Sequence, residues 1–358
     1  MRFENSVVAM NQMRTIEMLA FLLLLNLTYF SDAAVNPGQI CSEDKTSKNP
    51  IFSIPGHDVI CEGSLPENDR LGLPNQYNKE RLDRRSLQLI AVEGVLHKHS
   101  LDLFPNVRTV FIYKSDIKNF TSILKIGTAL HIAESKFPDI TSDTFTENRY
   151  FTTLGLHSNP NHTVHVGGFK RLWLLRVLII YNQTLTTLQD GFLTGLQKEL
   201  RELILNRNNL SVIQDNAFKS MENLRLINLD YNPLKSFNPK LHYLKRIESI
   251  SLAHTILFKL GMRLFYPVRN LRSIELPTTA LSAMEETDLI QMAIVFPNLK
   301  CIHYNSLEDI TTPLGPLLHK MDAMGLNVTD SMKLNSATST LYENSSYQTC
   351  EPSWTFHK

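Results

Sequence analysis

Residues 200–210 read LRELILNRNNL and residues 224–234 read LRLINLDYNPL. The two stretches agree at every apolar position of the pattern L-x-x-L-x-L-x-x-N-x-L and place Asn208 and Asn232 in the same ninth slot. In such a motif positions 4 and 6 alternate inward along a short strand, while positions 1 and 11 close the turns on either side. A single copy cannot bury its own apolar face, so the pattern implies a stack of similar turns sharing one core.

The same pattern recurs on both sides. Downstream it appears as IESISLAHTIL from Ile247, LRSIELPTTAL from Leu271 and, more loosely, LKCIHYNSLED from Leu299. Upstream it appears as LRVLIIYNQTL from Leu175, FTTLGLHSNPN from Phe151, GTALHIAESKF from Gly127, VRTVFIYKSDI from Val107 and LQLIAVEGVLH from Leu87. About ten copies at this spacing predict an α/β leucine-rich-repeat solenoid, a horseshoe with a parallel concave β-sheet. Phe145, Phe169, Phe192, Phe218 and Leu241 follow their motifs at a similar offset and are expected in the core on the convex side. Asn at position 9 is a packing device that satisfies backbone groups of neighbouring turns. Ser135, Gln183, Thr255, Thr279 and Leu307 take that slot elsewhere, so the Asn ladder is expected to be continuous only in the middle.

Around the repeats four segments are expected: a signal peptide at 1–34, an N-terminal cysteine-bearing cap at 35–86, the repeats at 87–310 and a poorly ordered tail at 311–358. The apolar run from Met18 to Phe30 is followed by the small residues Ala33 and Ala34, the layout of a secretory signal and short for a bilayer span. Sequons at Asn119, Asn161, Asn182, Asn209, Asn327 and Asn344 fit passage through that pathway as a secreted glycoprotein. After signal cleavage no membrane attachment is expected. Lys plus Arg number 36 against 35 for Asp plus Glu, a net charge of +1 that provides no global field for nucleic acid.

Cys41, Cys61, Cys301 and Cys350 allow three pairings, and sequence alone does not choose among them. Cys41 with Cys61 is preferred, because it closes a short loop inside the cap; Cys301 and Cys350 either pair with each other or bond a second chain in a disulfide-linked dimer. The histidines of HSNPNHTVH, at 157, 162 and 165, lack the spacing and the acidic or thiol companions of a metal site. No Gly-rich phosphate loop and no nucleophile, acid–base or zinc motif is found, so neither catalysis nor a cofactor or metal is expected.

Positions 3, 5, 7 and 8 project from the sheet free of core duty, and unusual residues there are informative. Phe111, Tyr113, His131, His157, Ile179 and Tyr181 form an aromatic and aliphatic strip in the earlier repeats. Arg207, Asp230 and Tyr231 stand on a more polar middle. Buried aromatics concentrate binding energy, so this mixed face is expected to hold an extracellular protein ligand. Repeat, signal, cysteine-bearing cap and lack of a later transmembrane segment together resemble a secreted insect leucine-rich-repeat protein, and more narrowly the mosquito leucine-rich-repeat immune family in a coil-less form. That resemblance implies a role in innate immune recognition, with complement-like proteins as partners and disulfide-linked pairs. Receptor-like or matrix adhesion, and inhibition of a secreted enzyme, are the competing functions.

Overall fold

The computed structural model describes residues 41–43, 58–64, 86–96, 107–120, 129–146, 150–159, 162–296, 298–299, 301–304, 321 and 327–330. The expected signal peptide, Asn161, Asn344 and Cys350 lie outside them. The chain divides into two compact units, an N-terminal one that ends at Gln183 and includes Gly191–Leu200, and a C-terminal one of Thr184–Asp190 and the residues from Arg201 onward.

The N-terminal unit contains β1 (Cys41–Glu43), β2 (Asp58–Ser64), β3 (Ser86–Leu96), β4 (Thr109–Tyr113), β5 (Asp116–Phe120), β6 (Ala129–Ala133), β7 (Thr153–His157) and β8 (Val177–Tyr181). β1 is antiparallel to β2, with Cys41 opposite Cys61. From β2 onward the strands run parallel in the order β2-β3-β4-β6-β7-β8, and β5 pairs with β3. In the C-terminal unit β9 (Thr187–Leu188) pairs with β11 (Val212–Ile213). There β10 (Glu202–Ile204), β12 (Leu226–Asn228), β13 (Ser249–Ser251), β14 (Ser273–Glu275), β15 (Cys301–Tyr304) and β16 (Asn327–Asp330) form one parallel ladder. The return segments include the short helices α1 (Thr278–Ser282) and α2 (Glu286–Val295).

This is the repeat solenoid that the motif predicts. Register pairs Val110, Leu130, Leu154 and Leu178 in one unit, and Leu203, Ile227, Ile250, Ile274 and Ile302 in the other, all at position 4. Each of these side chains is buried, as are Ile112, Ile132, Leu156, Ile180, Leu205, Leu229, Leu252 and Leu276 at position 6 and the outer residues Phe145, Phe169, Phe192, Phe218 and Leu241. Phe145 packs edge-on against Phe151, and Phe169 against Phe192, at centroid distances of 6.0 and 5.6 Å.

Two boundaries differ from expectation. Leu87 pairs with Val110, so it occupies position 4 of the first repeat and not position 1. Leu89 and Val92 are the buried residues that follow, and Ile90 is only half-buried. The apolar residues of LQLIAVEGVLH allow either frame, and alternation with period two decides between them. At the other end, residues 327–330 were expected in a loose tail, yet they form β16 and extend the ladder, with Val328 beside Ile302.

The turn that ends each strand has a fixed chemistry. Position 8 is left-handed in Ala91, Lys114, Glu134, Ser158, Asn182, Arg207, Tyr231 and His254, with φ between 46° and 56°. None of these residues is β-branched, as that conformation requires. The twist keeps one further bond: the position 8 N–H donates to the position 7 carbonyl of the next turn, Glu134 to His157 at 3.0 Å and Arg207 to Asp230 at 2.9 Å.

Position 9 then points inward. Asn232 donates through Nδ2 to the carbonyls of Leu205 and Leu229 at 2.8 Å and accepts from the Leu210 N–H at 3.0 Å. Where Asn is missing, hydroxyls and a longer amide replace it. Ser115 donates to the Tyr113 carbonyl and accepts from Val92 N–H, while Ser135 donates to the Ala133 carbonyl and accepts from Ser115 N–H. The Gln183 amide, oriented to match its surroundings, accepts from the N–H groups of Ser158 and Asn159. Thr255, also buried, donates to the Leu252 carbonyl, whereas Thr279 is exposed, donates to the Leu257 carbonyl and leaves the ladder. The ladder is therefore not confined to the middle repeats, because any short donor–acceptor at this depth can serve.

Leu229 is fully buried between two well-formed turns. Leu229→Ala is expected to lower unfolding free energy by about 2–5 kcal/mol through the cavity it leaves. Denaturant unfolding followed by circular dichroism measures this, and a midpoint equal to wild type would contradict the register.

Candidate functional site

Along the sheet face opposite the core, positions 5 and 7 of successive strands form two columns. In the N-terminal unit position 5 holds Phe111, His131, Gly155 and Ile179, and position 7 holds Tyr113, Ala133, His157 and Tyr181. The sequence shows the large residues; the structure shows how they combine. Phe111 stacks on His131 with centroids 5.1 Å apart, His131 on His157 at 5.5 Å, and His157 leans on Tyr181 at 6.2 Å. A single row of rings thus crosses diagonally from one column to the other.

Gly155 permits the crossing. A Cβ there would lie 2.3 Å from His131 Nδ1 and 2.5 Å from His157 Nε2, so any side chain would force the imidazoles apart. In the space it leaves, those two nitrogens approach to 3.3 Å. One N–H and one lone pair suffice for that contact if both rings are neutral. Desolvation brings the pKa of His131 down to about 4; for His157 desolvation, followed by repulsion from His131, brings it to about 3.

Several residues expected to face solvent are instead covered. Tyr113 is 2% exposed and His157 5%, and Ile179 and Asp230 are also buried. Their neighbours on the ladder account for this. The Tyr113 hydroxyl donates to Glu134 at 3.1 Å while the Lys114 ammonium lies 5.1 Å from its ring centre; burial, then Glu134, pushes the phenol pKa up. Tyr113 therefore supports structure, and removing its ring cannot serve as a neutral probe of binding. Phe111, His131 and Tyr181 remain half-buried. The three histidines of the HSNPNHTVH stretch do not converge: His162 packs on Phe137 at 4.1 Å, and His165 meets Asp139 at 3.3 Å. Among the described residues no group of three or more His, Cys, Asp or Glu could hold a metal ion.

In the C-terminal unit the rim at position 8 carries a second stack. The Arg207 guanidinium lies 4.2 Å from the Tyr231 ring centre, and His254 stacks on the same ring at 4.0 Å with an 11° tilt. Arg207 and Tyr231 were legible in the sequence. His254 was missed, although it fills the same slot one repeat later. Asp230 reaches a different set: it accepts from the Ala253 N–H at 2.9 Å and from the Ser251 hydroxyl, which also lies 3.0 Å from Glu275. Ser251 and Glu275 occupy position 5 of their repeats, a slot already identified as outward-facing, so extending the column reading two repeats further would have found them.

The His131–His157 contact implies a pH dependence. The unfolded chain binds protons on both imidazoles near the ordinary histidine value of about 6.5, and the folded chain binds them only near 4 and 3. Stability should be complete above about pH 6.5 and decline as pH falls toward 4. The difference in melting temperature between pH 7 and pH 5 should shrink in a His131→Gln/His157→Gln variant; an unchanged difference would contradict the assignment.

Residues 198–257 match the family described as Leucine rich repeat. Among solved structures, the chain is similar to one in the octameric complex of Latrophilin 3 (Lec, Olf), Unc5D (Ig, Ig2, TSP1) and FLRT2 (LRR). That match has a TM-score of 0.53 and 17% identity, over 75% of this chain and 86% of that one. It is also similar to a chain of the Toll–Spatzle complex of Drosophila, with a TM-score of 0.50 and 15% identity, over 77% of this chain and 43% of that one. At such identities the likeness speaks for the fold, and with the matched repeats it makes that fold a leucine-rich-repeat solenoid.

Proposed function

We propose that this chain is a secreted, extracellular protein-binding module of innate immune recognition, and that its partner seats on the row Phe111–His131–His157–Tyr181. The row carries the reading: four rings in mutual contact form a rigid face that loses little conformational entropy on binding. Phe111, His131 and Tyr181 are half-buried over the covered His157, and half-buried aromatics supply the anchors of protein interfaces. Neighbouring strands lie about 4.8 Å apart, so the row from β4 to β8 spans roughly 15 Å, enough for a loop or helix of a partner. Both similar structures come from assemblies of several proteins, which supports binding over catalysis. The resemblance to the mosquito immune repeats supports the immune setting and a complement-like partner; adhesion and enzyme inhibition compete with it.

The secretory reading rests on the apolar leader and the sequons, of which Asn119, Asn182 and Asn209 are exposed. It also rests on Cys41 standing opposite Cys61 across β1 and β2. Directly opposed residues of antiparallel strands have Cα atoms about 4.5–5.5 Å apart, within the span a disulfide bridges. A bond there would fasten the β1–β2 hairpin at the end of the stack. Peptide mapping of the non-reduced secreted protein should recover Cys41 joined to Cys61, and a peptide joining Cys41 to Cys301 or Cys350 would overturn that pairing.

The function is tested by affinity capture from the fluid in which the protein occurs. Phe111→Ala/Tyr181→Ala should lower capture of the wild-type partner by at least about 30-fold, equivalent to about 2 kcal/mol, with the circular dichroism spectrum unchanged. Full capture by the folded double variant would remove the partner from this face.

A further inference from the structure

In the N-terminal unit the chain enters β8 through a run of tight turns. Lys170, Leu172 and Leu175 donate their N–H groups to the carbonyls of Gly167, Phe169 and Leu172 at 2.9–3.0 Å. Phe169, Leu172 and Leu175 are buried, while the pairs between them, Lys170–Arg171 and Trp173–Leu174, are exposed. Gly195 of the following turn seats this run closely, since a Cβ there would lie 2.6 Å from the Lys170 Cα.

Other repeats show what this turn ordinarily carries. Between buried Met221 and Leu224 its tip is Glu222–Asn223, between Leu244 and Ile247 it is Lys245–Arg246, and between Val268 and Leu271 it is Arg269–Asn270. Trp173, 40% exposed, and Leu174, 38% exposed, take the place of these polar pairs. Thr153 pairs with Val177, so Tyr150, three residues before Thr153, falls level with Leu174; it too is 39% exposed. The local charge is as one-sided as the tip is apolar. From Asn148 to Gln189 the sequence has no Asp or Glu but contains Arg149, Lys170, Arg171 and Arg176. Glu199, from the next repeat, meets Arg176 at 3.7 Å, while Lys170 and Arg171 flank the tip at exposed positions.

We infer that this turn is a docking surface for an anionic phospholipid bilayer. Indole and phenol rings settle at the level of the head groups, Leu174 reaches the acyl boundary, and Lys170 and Arg171 meet the lipid anions. Each cation held near such a surface strengthens binding about fivefold. The joining of charge to an apolar tip favours a bilayer over a sulfated glycan, whose anions would leave Leu174 without a counterpart. This peripheral contact departs from the expectation of no membrane attachment, and it requires no spanning helix. It is also separate from the ring row: the turn leads into β8 at Val177, whereas Tyr181 closes that strand at the other end.

The test is flotation of the full secreted chain with vesicles of phosphatidylcholine, with or without phosphatidylserine, at low ionic strength. Wild type should float with the anionic vesicles and not with the neutral ones. Trp173→Ser/Leu174→Ser and Lys170→Gln/Arg171→Gln should each weaken binding at least tenfold, with circular dichroism unchanged. Lys245→Gln/Arg246→Gln, which removes the same charge from the equivalent turn of another repeat, should bind like wild type. If the first variant does not fold, Leu174→Ser alone should weaken binding at least threefold. The sequence has two tryptophans, so in a Trp354→Phe background the emission reports Trp173 alone. It should move to shorter wavelength on addition of anionic vesicles.

No flotation of wild type, equal flotation with neutral vesicles, or equal weakening in the charge-matched control would overturn the docking surface. So would full binding by the folded Trp173→Ser/Leu174→Ser or Leu174→Ser protein, or an unshifted Trp173 emission, either of which would leave only a general response to polyanions. Loss of partner capture in Phe111→Ala/Tyr181→Ala with flotation intact is the result expected of two separate surfaces. Flotation lost in that variant as well would overturn the assignment to the turn.

Discussion

Everything in this structure depends on the way one turn hands its hydrogen bonds to the next. A strand of three to five residues carries few bonds of its own, and the chain must leave it without stranding polar groups in the core. The left-handed residue at position 8 adds one more ladder bond, and the inward donor–acceptor at position 9 satisfies the carbonyls and N–H groups that the bend exposes. A non-glycine left-handed residue costs about 1–2 kcal/mol, a penalty repeated at eight successive turns. At Lys114, Glu134, Ser158, Arg207 and Tyr231 it is offset by a bond from the residue's own N–H to a neighbouring turn, so the motif is favourable only as an array.

This dependence explains which parts of the fold were legible. Leucines at positions 4 and 6 announce themselves because burial tolerates nothing polar there, and the ninth-slot Asn of the middle repeats fixed the frame. The terminal repeats were harder for a physical reason. Ser115, Ser135 and Thr255 do the work of Asn with a hydroxyl, and a reading keyed to one residue type counts them as gaps. The first repeat allowed two frames because its apolar residues are dense, and only pairing with Val110 selects between them. β16 was hidden because its position 6 is Asp330, which breaks the apolar alternation.

The faces were legible by column but not by contact. Sequence placed Phe111, His131, His157 and Tyr181 on the outer surface, yet it could not show that they touch, since the row changes column midway. The residue that allows this, Gly155, has no side chain to attract notice; its contribution is the absence of a Cβ. Tyr113 shows the converse error. An aromatic ring at an outward slot looks available for a partner, whereas its own neighbours, Glu134 and Lys114, already hold it.

The conformation at position 8 also bears on how such a surface can diversify. Column 5 lies in extended strands, and so does column 7 from β4 to β8, where β-branched and aromatic side chains fit well. Column 8 is left-handed and disfavours β-branching, leaving straight-chain, planar and small residues such as Lys114, Glu134, Ser158, Arg207, Tyr231 and His254. Adjacent columns therefore draw on complementary halves of the amino-acid alphabet. Across related repeats, accumulated variation should separate by column, with shape rewritten in the strands and charge rewritten on the rim, and neither drift disturbing the core they share.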